Sequence, residues 1–334
     1  MAIGATTAAG DARVHTDVEY QELHHVGKVA LWRTSVGTGA LLVLFVGLPI
    51  LVAIPFTLGL IAGGADSDRI TDFFSLDPVT PGNLAYTDIG LAAAIGAAIL
   101  VTWLMHGRLS PRWLLSVVGR LRWRWLLVCL GLSLVTLILT LAVSLLLPDD
   151  GGDADLGGSL NAFTSQTLGF VAVVVLLTPL QAAGEEFVFR GYLTQAWGGW
   201  AATRSRALGR LVGVLLPALL FGLAHGLGQE VPVFLDRFAF GIVAGVLVIL
   251  TGGLEAGIAM HVLNNVVAYA LALAFGDITS ALTDATGSWW LIVTTLTQSL
   301  VYLGLVALVG PRFGVVRRAP VRFPPGLPMT SSGR

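Results

Sequence analysis

The sequence predicts an all-α, polytopic membrane helix bundle of about eight transmembrane helices, with both termini cytoplasmic. Three observations carry this. Of 334 residues, 55% are hydrophobic and only 12% charged, and the mean hydropathy of +0.82 lies above what a water-soluble domain carries. The charges leave eight apolar stretches between them, near 37–63, 87–105, 125–147, 168–197, 209–228, 238–253, 255–275 and 289–310. Most are close to the roughly 20 residues that cross a ~30 Å hydrocarbon core. Finally, with eight spans and both ends inside, seventeen of the nineteen Lys and Arg fall on the inner side, leaving only Arg69 and Arg237 outside. Basic residues are retained on the cytoplasmic side, so a different span count would place an Arg-rich loop on the wrong side.

Along the chain, residues 1–33 read as a polar cytoplasmic tail; Asp11, Asp17, Glu19 and Glu22 precede any apolar run, so the first span is expected to remain as an anchor rather than a cleaved signal. His15, His24 and His25 in this tail, and His106 at the end of the second span, are expected to be solvated. The outer loops are acidic, with Asp66, Asp68, Asp72 and Asp77 in the first and Asp149, Asp150, Asp153 and Asp155 in the second. Before the third span, Arg120-Leu-Arg-Trp-Arg-Trp125 alternates cations with aromatics, a pattern of interface anchors. That span is free of charge and holds Cys129, the single cysteine, which excludes an internal disulfide and a CxxC site.

Pro179 and Pro217 are candidate breaks in the fourth and fifth helices. Glu255 stands where the sixth helix meets the seventh and reads as an interface residue. Spacings such as Gly59/Gly63, Gly222/Gly226, Gly241/Gly245 and Gly253/Gly257 permit close helix packing. The bundle proper is expected over 34–310, while the Gly/Asp-rich loop 149–158 and the Pro/Arg-rich tail 311–334 read as flexible surface. A formal charge of −1 provides no basic field for a nucleic acid, and that class of partner is set aside.

Ionisable groups inside spans are costly, by about 2.5–3.5 kcal/mol on insertion scales, and so point to function. Three groups stand out: Gly184-Glu185-Glu186-Phe-Val-Phe-Arg190 on the fourth span, Phe221-Gly-Leu-Ala-His225 on the fifth, and His261-Val-Leu-Asn-Asn265 on the seventh. Counted from Trp197, Glu185 lies ~18 Å deep, near mid-membrane. Glu186 and Arg190 are i, i+4 neighbours and can pair; Glu185 points about 100° away and is left as the working carboxylate. His225 is the candidate to share its proton. Counted from Gly209, however, His225 stands ~24 Å up, above Glu185, and a tilt, a kink at Pro217 or a later helix start is needed to level them. His261 and Asn265, also i, i+4, offer two donors for a developing oxyanion. The plainer reading of the histidines and asparagines is inter-helix hydrogen bonding, and that of Phe221 is packing on the His225 imidazole. No HExxH and no glycine-flanked nucleophilic serine are present.

The ordered set EExxxR, FxxxH and HxxxN on successive membrane helices resembles the CPBP family of intramembrane proteases, which takes in CAAX proteases and bacteriocin-processing enzymes and is also called the Abi family. The similarity covers roughly 165–275. It implies Glu185 and His225 as the water-activating pair, His261 and Asn265 as the oxyanion pair, and Glu186 and Arg190 as the rest of the first motif. Two mechanisms are open under the resemblance: a zinc ion held by Glu185, His225 and His261, or direct activation of water without a metal. The implied partners are the lipid bilayer and a membrane-associated protein or peptide substrate, CAAX-type or bacteriocin-like, at the cell membrane. Two rival readings use the same residues. An ion- or proton-coupled transporter would show repeated halves and broken helices, and a non-catalytic immunity or scaffold protein would keep the bundle without turnover.

Overall fold

The computed structural model describes residues 14–26, 28–107, 109–147, 159–283 and 287–322, with side chains described for all but 14–17, 25, 26 and 320–322. The described residues contain eight helical stretches long and apolar enough to cross a membrane: Leu31–Ala62, Pro81–Met105, Trp123–Ser144, Ser165–Ala202, Arg206–Ala224, Val231–Thr251, Glu255–Phe275 and Trp290–Phe313. The fold is all-α and polytopic, as the hydropathy pattern predicts. Several of these helices present apolar side chains outward, among them Val43, Val46, Ile50, Leu127, Val135 and Ile138. Such surfaces are stable against acyl chains and would aggregate in water.

The first span is one helix, α1 (Leu31–Ala62), followed by a short surface helix α2 (Ser67–Ser75), which Asp66 caps. The second span is two helices in series, α3 (Pro81–Ala92) and α4 (Ala94–Met105). Thr80 and Asn83 form a reciprocal capping box that fixes where α3 starts. The third span is α5 (Trp123–Ser144).

The fourth span is segmented into α6 (Ser165–Leu176), α7 (Thr178–Glu186), a π-helical turn Phe187–Leu193 and α8 (Thr194–Ala202). The break at Leu177 precedes Pro179, which cannot donate to the preceding turn. Pro217, in contrast, sits inside a continuous α9 (Arg206–Ala224). Then follow α10 (Val231–Thr251), stopped by Gly252 at φ 69°, α11 (Glu255–Phe275), a short α12 (Ile278–Thr283) and α13 (Trp290–Val309). Helix α7 lies against α3 and α11, while α9 packs between α8 and α10.

Glycines set several of these approaches. Gly241 and Gly245 of α10 face Ala218 and Val214 of α9, whereas Gly59 and Gly226 meet no neighbour. One close crossing was not singled out from spacing: Gly198 of α8 lies against Gly209 and Gly213 of α9.

The polar ends depart most from expectation. Strand β1 (Val14–Glu19) pairs antiparallel with β2 (Arg318–Arg322), so part of the tail read as flexible surface is structured. The turn Tyr20–Val26 then docks on α8. Glu19 accepts from Arg210 Nε at 2.7 Å and Glu22 from Arg206 Nε at 2.9 Å. His24 and His106 are consequently buried rather than solvated, with their rings stacked 3.8 Å apart. The side chains of His15 and His25, and the loop 149–158, lie outside the described residues. Glu255, at the start of α11, is fully buried in the bundle, bound by Arg122 through Nη2–Oε2 at 2.6 Å and Nε–Oε1 at 2.8 Å. The segment before Arg122 meets the start of α11, where Leu254 N donates to Leu115 O; Trp125 is buried, with its ring 6.2 Å from that of Phe313.

Candidate functional site

Glu185 and Glu186 end α7 just before the π-helical turn, a local unwinding that recurs at functional sites. Their position is fixed from behind by Gly184. A Cβ there would collide with the carbonyl oxygen of Leu91 and lie 3.2 Å from Ala92 Cα, so α7 touches the backbone of α3. Glu185 is 6% exposed, Glu186 0% and Arg190 1%.

The i, i+4 pair forms as its spacing predicts, with Arg190 Nη1 2.7 Å from Glu186 Oε1. The guanidinium lies 4.3 Å from the ring centroid of Phe221, a cation–π contact. Phe221 also meets the His225 ring edge-on at 4.7 Å. Its role therefore extends beyond packing on His225.

His261 enters from α11 and bridges the two glutamates. Its Nδ1 is 3.0 Å from Glu186 Oε1 and its Nε2 3.3 Å from Glu185 Oε2. Gly257, one turn earlier, makes this approach available: a Cβ there would stand 2.8 Å from Glu186 Oε2. Because Arg190 holds Glu186 as an acceptor, the imidazole donates to it from Nδ1, and Nε2 is the nitrogen that faces Glu185.

The histidine at hydrogen-bonding range of Glu185 is thus His261, where the sequence suggested His225. His225 is exposed at the end of α9, and its Nδ1 is 2.8 Å from the carbonyl of Phe221. Helix α9 stops at Ala224, so the ring turns back along its own helix to that carbonyl. Glu185 remains within its electrostatic reach. The depth mismatch narrows once the helix ends are fixed. The fourth span continues past Trp197 to Ala202, placing Glu185 17 residues from that end (202 − 185), and His225 stands 19 beyond Arg206 (225 − 206).

Asn265 and His261 share one face of α11, and each reaches α7: Asn265 Nδ2 donates to Gln181 Oε1 at 3.1 Å. Sequence reasoning missed Gln181, which lies one turn before Glu185. It also missed Asp88, a buried acid on α3 that accepts from Thr178 Oγ1 at 2.7 Å and lies within electrostatic reach of Glu185. Asp88 was detectable as a carboxylate inside the apolar run 87–105. Gln181 carries no charge and gives no such signal.

Among the described residues, no three His, Cys, Asp or Glu side chains are arranged to hold a metal ion. Glu185 and His261 meet, but His225 points to its own helix. The arrangement therefore does not fit the three-ligand zinc set, and no step below is routed through a metal.

What the geometry offers is a buried carboxylate beside an imidazole, backed by an ion pair and set in a membrane bundle. Residues 165–267, which contain all six of these motif side chains, match the family model described as type II CAAX prenyl endopeptidase Rce1-like. The match takes in the whole motif core. Among curated proteins, the chain is 28% identical over 151 residues to the uncharacterized protein YyaK of Bacillus subtilis (strain 168), a match covering 42% of this chain and 48% of that one. The matched part thus spans about half the length of that relative. No solved structure matches. The matched segment runs from α6 into α11; the first three spans precede it and α13 follows it.

Proposed function

We propose that the protein is an intramembrane endopeptidase that hydrolyses a peptide bond near the membrane-bound end of a protein or peptide, with water as nucleophile. The observation that carries this is the Glu185–His261–Glu186–Arg190 chain, in which the arginine pairs with Glu186 and leaves Glu185 with the imidazole alone. Glu185 takes a proton from water, and the resulting hydroxide adds to the peptide carbonyl carbon. His225, within electrostatic reach, steers that water. The carbonyl electron pair moves to oxygen, where His261 Nε2 and Asn265 Nδ2 receive it. His261 can donate from Nε2 only as an imidazolium, since Nδ1 already serves Glu186, and the Glu186 carboxylate, still ionised at this stage, stabilises that cation. The substrate oxygen displaces Glu185 from Nε2 and Gln181 from Asn265. Collapse then breaks the C–N bond, and Glu185 returns its proton to the leaving amine.

The break at Leu177 within the fourth span is also a feature of carriers that bind ions at unwound helices. The two readings separate in cells that express the native chain or Glu185→Ala at matched abundance, with the termini of membrane proteins and secreted peptides mapped. New termini that depend on Glu185 support hydrolysis. Identical termini in both, together with Glu185-dependent ion or proton flux in vesicles, would replace it with transport.

A further inference from the structure

The chemistry above releases Gln181 from Asn265 and assigns it no later role. Gln181 stands on α7 one turn before Glu185 and is 6% exposed. Among the described residues its carboxamide makes one hydrogen bond, accepting through Oε1 from Asn265 Nδ2 at 3.1 Å, and the Asn265 side chain makes no other. Each carboxamide offers two donor hydrogens and an acceptor oxygen, and buried polar groups ordinarily find partners for them. An apolar pair would join α7 to α11 without desolvating two amides. Two amides inside the membrane that share a single bond mark a place that a polar ligand completes.

Their placement says which ligand. Gln181 precedes Glu185 by one turn on α7, and Asn265 follows His261 by one turn on α11, so the Glu185–His261 and Gln181–Asn265 contacts are successive rungs of one seam between these helices. Gln181 Oε1 holds the donor that the substrate carbonyl later takes, and in that respect it mimics the carbonyl. Once displaced, Oε1 is a buried acceptor whose loss of a partner is costly. The next donor is fixed by chain geometry. In an extended chain a residue's own N–H and C=O point to the same side, which is why facing strand residues can exchange both hydrogen bonds. Asn265 Nδ2 and Gln181 Oε1, side by side, offer the donor and the acceptor that one residue of a neighbouring strand would offer. One side-chain bond is lost and two bonds to substrate are gained.

We propose that Gln181 is a substrate-binding residue that accepts the backbone N–H of the residue supplying the scissile carbonyl, so that the site takes an extended chain with an unsubstituted N–H at that residue. Proline, which lacks the N–H, is excluded there. This rests on the endopeptidase reading and adds to it a binding residue and a substrate requirement.

The test uses the full chain in lipid nanodiscs and a prenylated peptide with a CAAX ending, together with analogues in which one backbone N–H at a time is replaced by an ester oxygen, at every linkage except the cleaved one. The replacement removes a donor and adds no bulk, and mass spectrometry of the products fixes the cleaved bond. For the native chain, kcat/KM is expected to fall by about tenfold when the ester removes the N–H of the residue that supplies the cleaved carbonyl, the scale of one lost hydrogen bond. The loss should appear mainly in KM, because the bond forms on binding and persists through the reaction. Gln181→Met is expected to use the parent peptide about tenfold less well, to be indifferent to that ester, and to keep the native response to esters elsewhere. Equal use of parent and ester by the native chain overturns the assignment without recourse to any variant, and so does a discrimination that survives Gln181→Met. Binding of the same peptides to Glu185→Gln, with and without Gln181→Met, separates the two claims. An ester that weakens binding only when Gln181 is present, with no turnover by the native chain, keeps the contact and removes the hydrolase; turnover with no such ester does the reverse. The absence of both removes both.

Discussion

Removing Arg190 should destabilise the bundle far more than removing Arg190 and the charge of Glu186 together. Both side chains are sealed from solvent, at 1% and 0%, so Arg190→Met strands a carboxylate whose Oε1 keeps only His261 and whose Oε2 has no hydrogen-bond partner. Breaking one side of a buried pair costs about 3–5 kcal/mol, and loss of the contact with Phe221 adds about 0.5–2 kcal/mol. Glu186→Gln with Arg190→Met leaves neither position of the pair charged and retains an amide oxygen for His261 Nδ1, so it should recover more than about 2 kcal/mol of that loss. This exceeds the average of about 0.6 kcal/mol measured for polar pairs between membrane helices, which makes the two origins distinguishable. Denaturant unfolding of the four variants in mixed micelles, followed by the fluorescence of the nine tryptophans, gives the coupling energy directly. A coupling below about 1 kcal/mol would show that the pair is solvated or rearranged, and the support role assigned to it would fall.

Two further perturbations test how the site is held. Gly184→Ala should cost about 1–3 kcal/mol or more, because the added methyl meets the Leu91 backbone rather than a side chain that can turn away; Gly96→Ala, with nothing within 4 Å, should be close to neutral in the same unfolding experiment. At the polar end, burial pushes the Glu19 carboxyl up, but hydrogen bonds from Arg210 and Gln21 and the charges of Arg210 and Arg206 outweigh it and hold the group at about 2, against an ordinary 4.5. A depressed carboxylate stabilises the folded state above its unfolded pKa, and that contribution is lost as pH falls through the window from about 4.5 to about 2. Pepsin cleavage around residues 14–26 should rise across that window in the native chain and be elevated but nearly flat in Glu19→Gln; a native profile as flat as the variant's would refute the link.

The eight spans were legible because the membrane imposes a length and excludes charge, two constraints that act residue by residue along the chain. The Glu186–Arg190 pair was legible for a similar reason, since one helical turn fixes it with no tertiary information. The partner of Glu185 was not. It depended on where α9 ends, which frees His225 to turn back to Phe221, and on Gly257, which lets α11 come close enough to Glu186 for His261 to reach both acids. Burial of His24 and His106 was hidden as well, because Tyr20–Val26 shows no apolar periodicity and is held by ion pairs to α9. Asp88 is a different case: its position inside an apolar run was visible, and a complete tally of charges within the spans would have raised it.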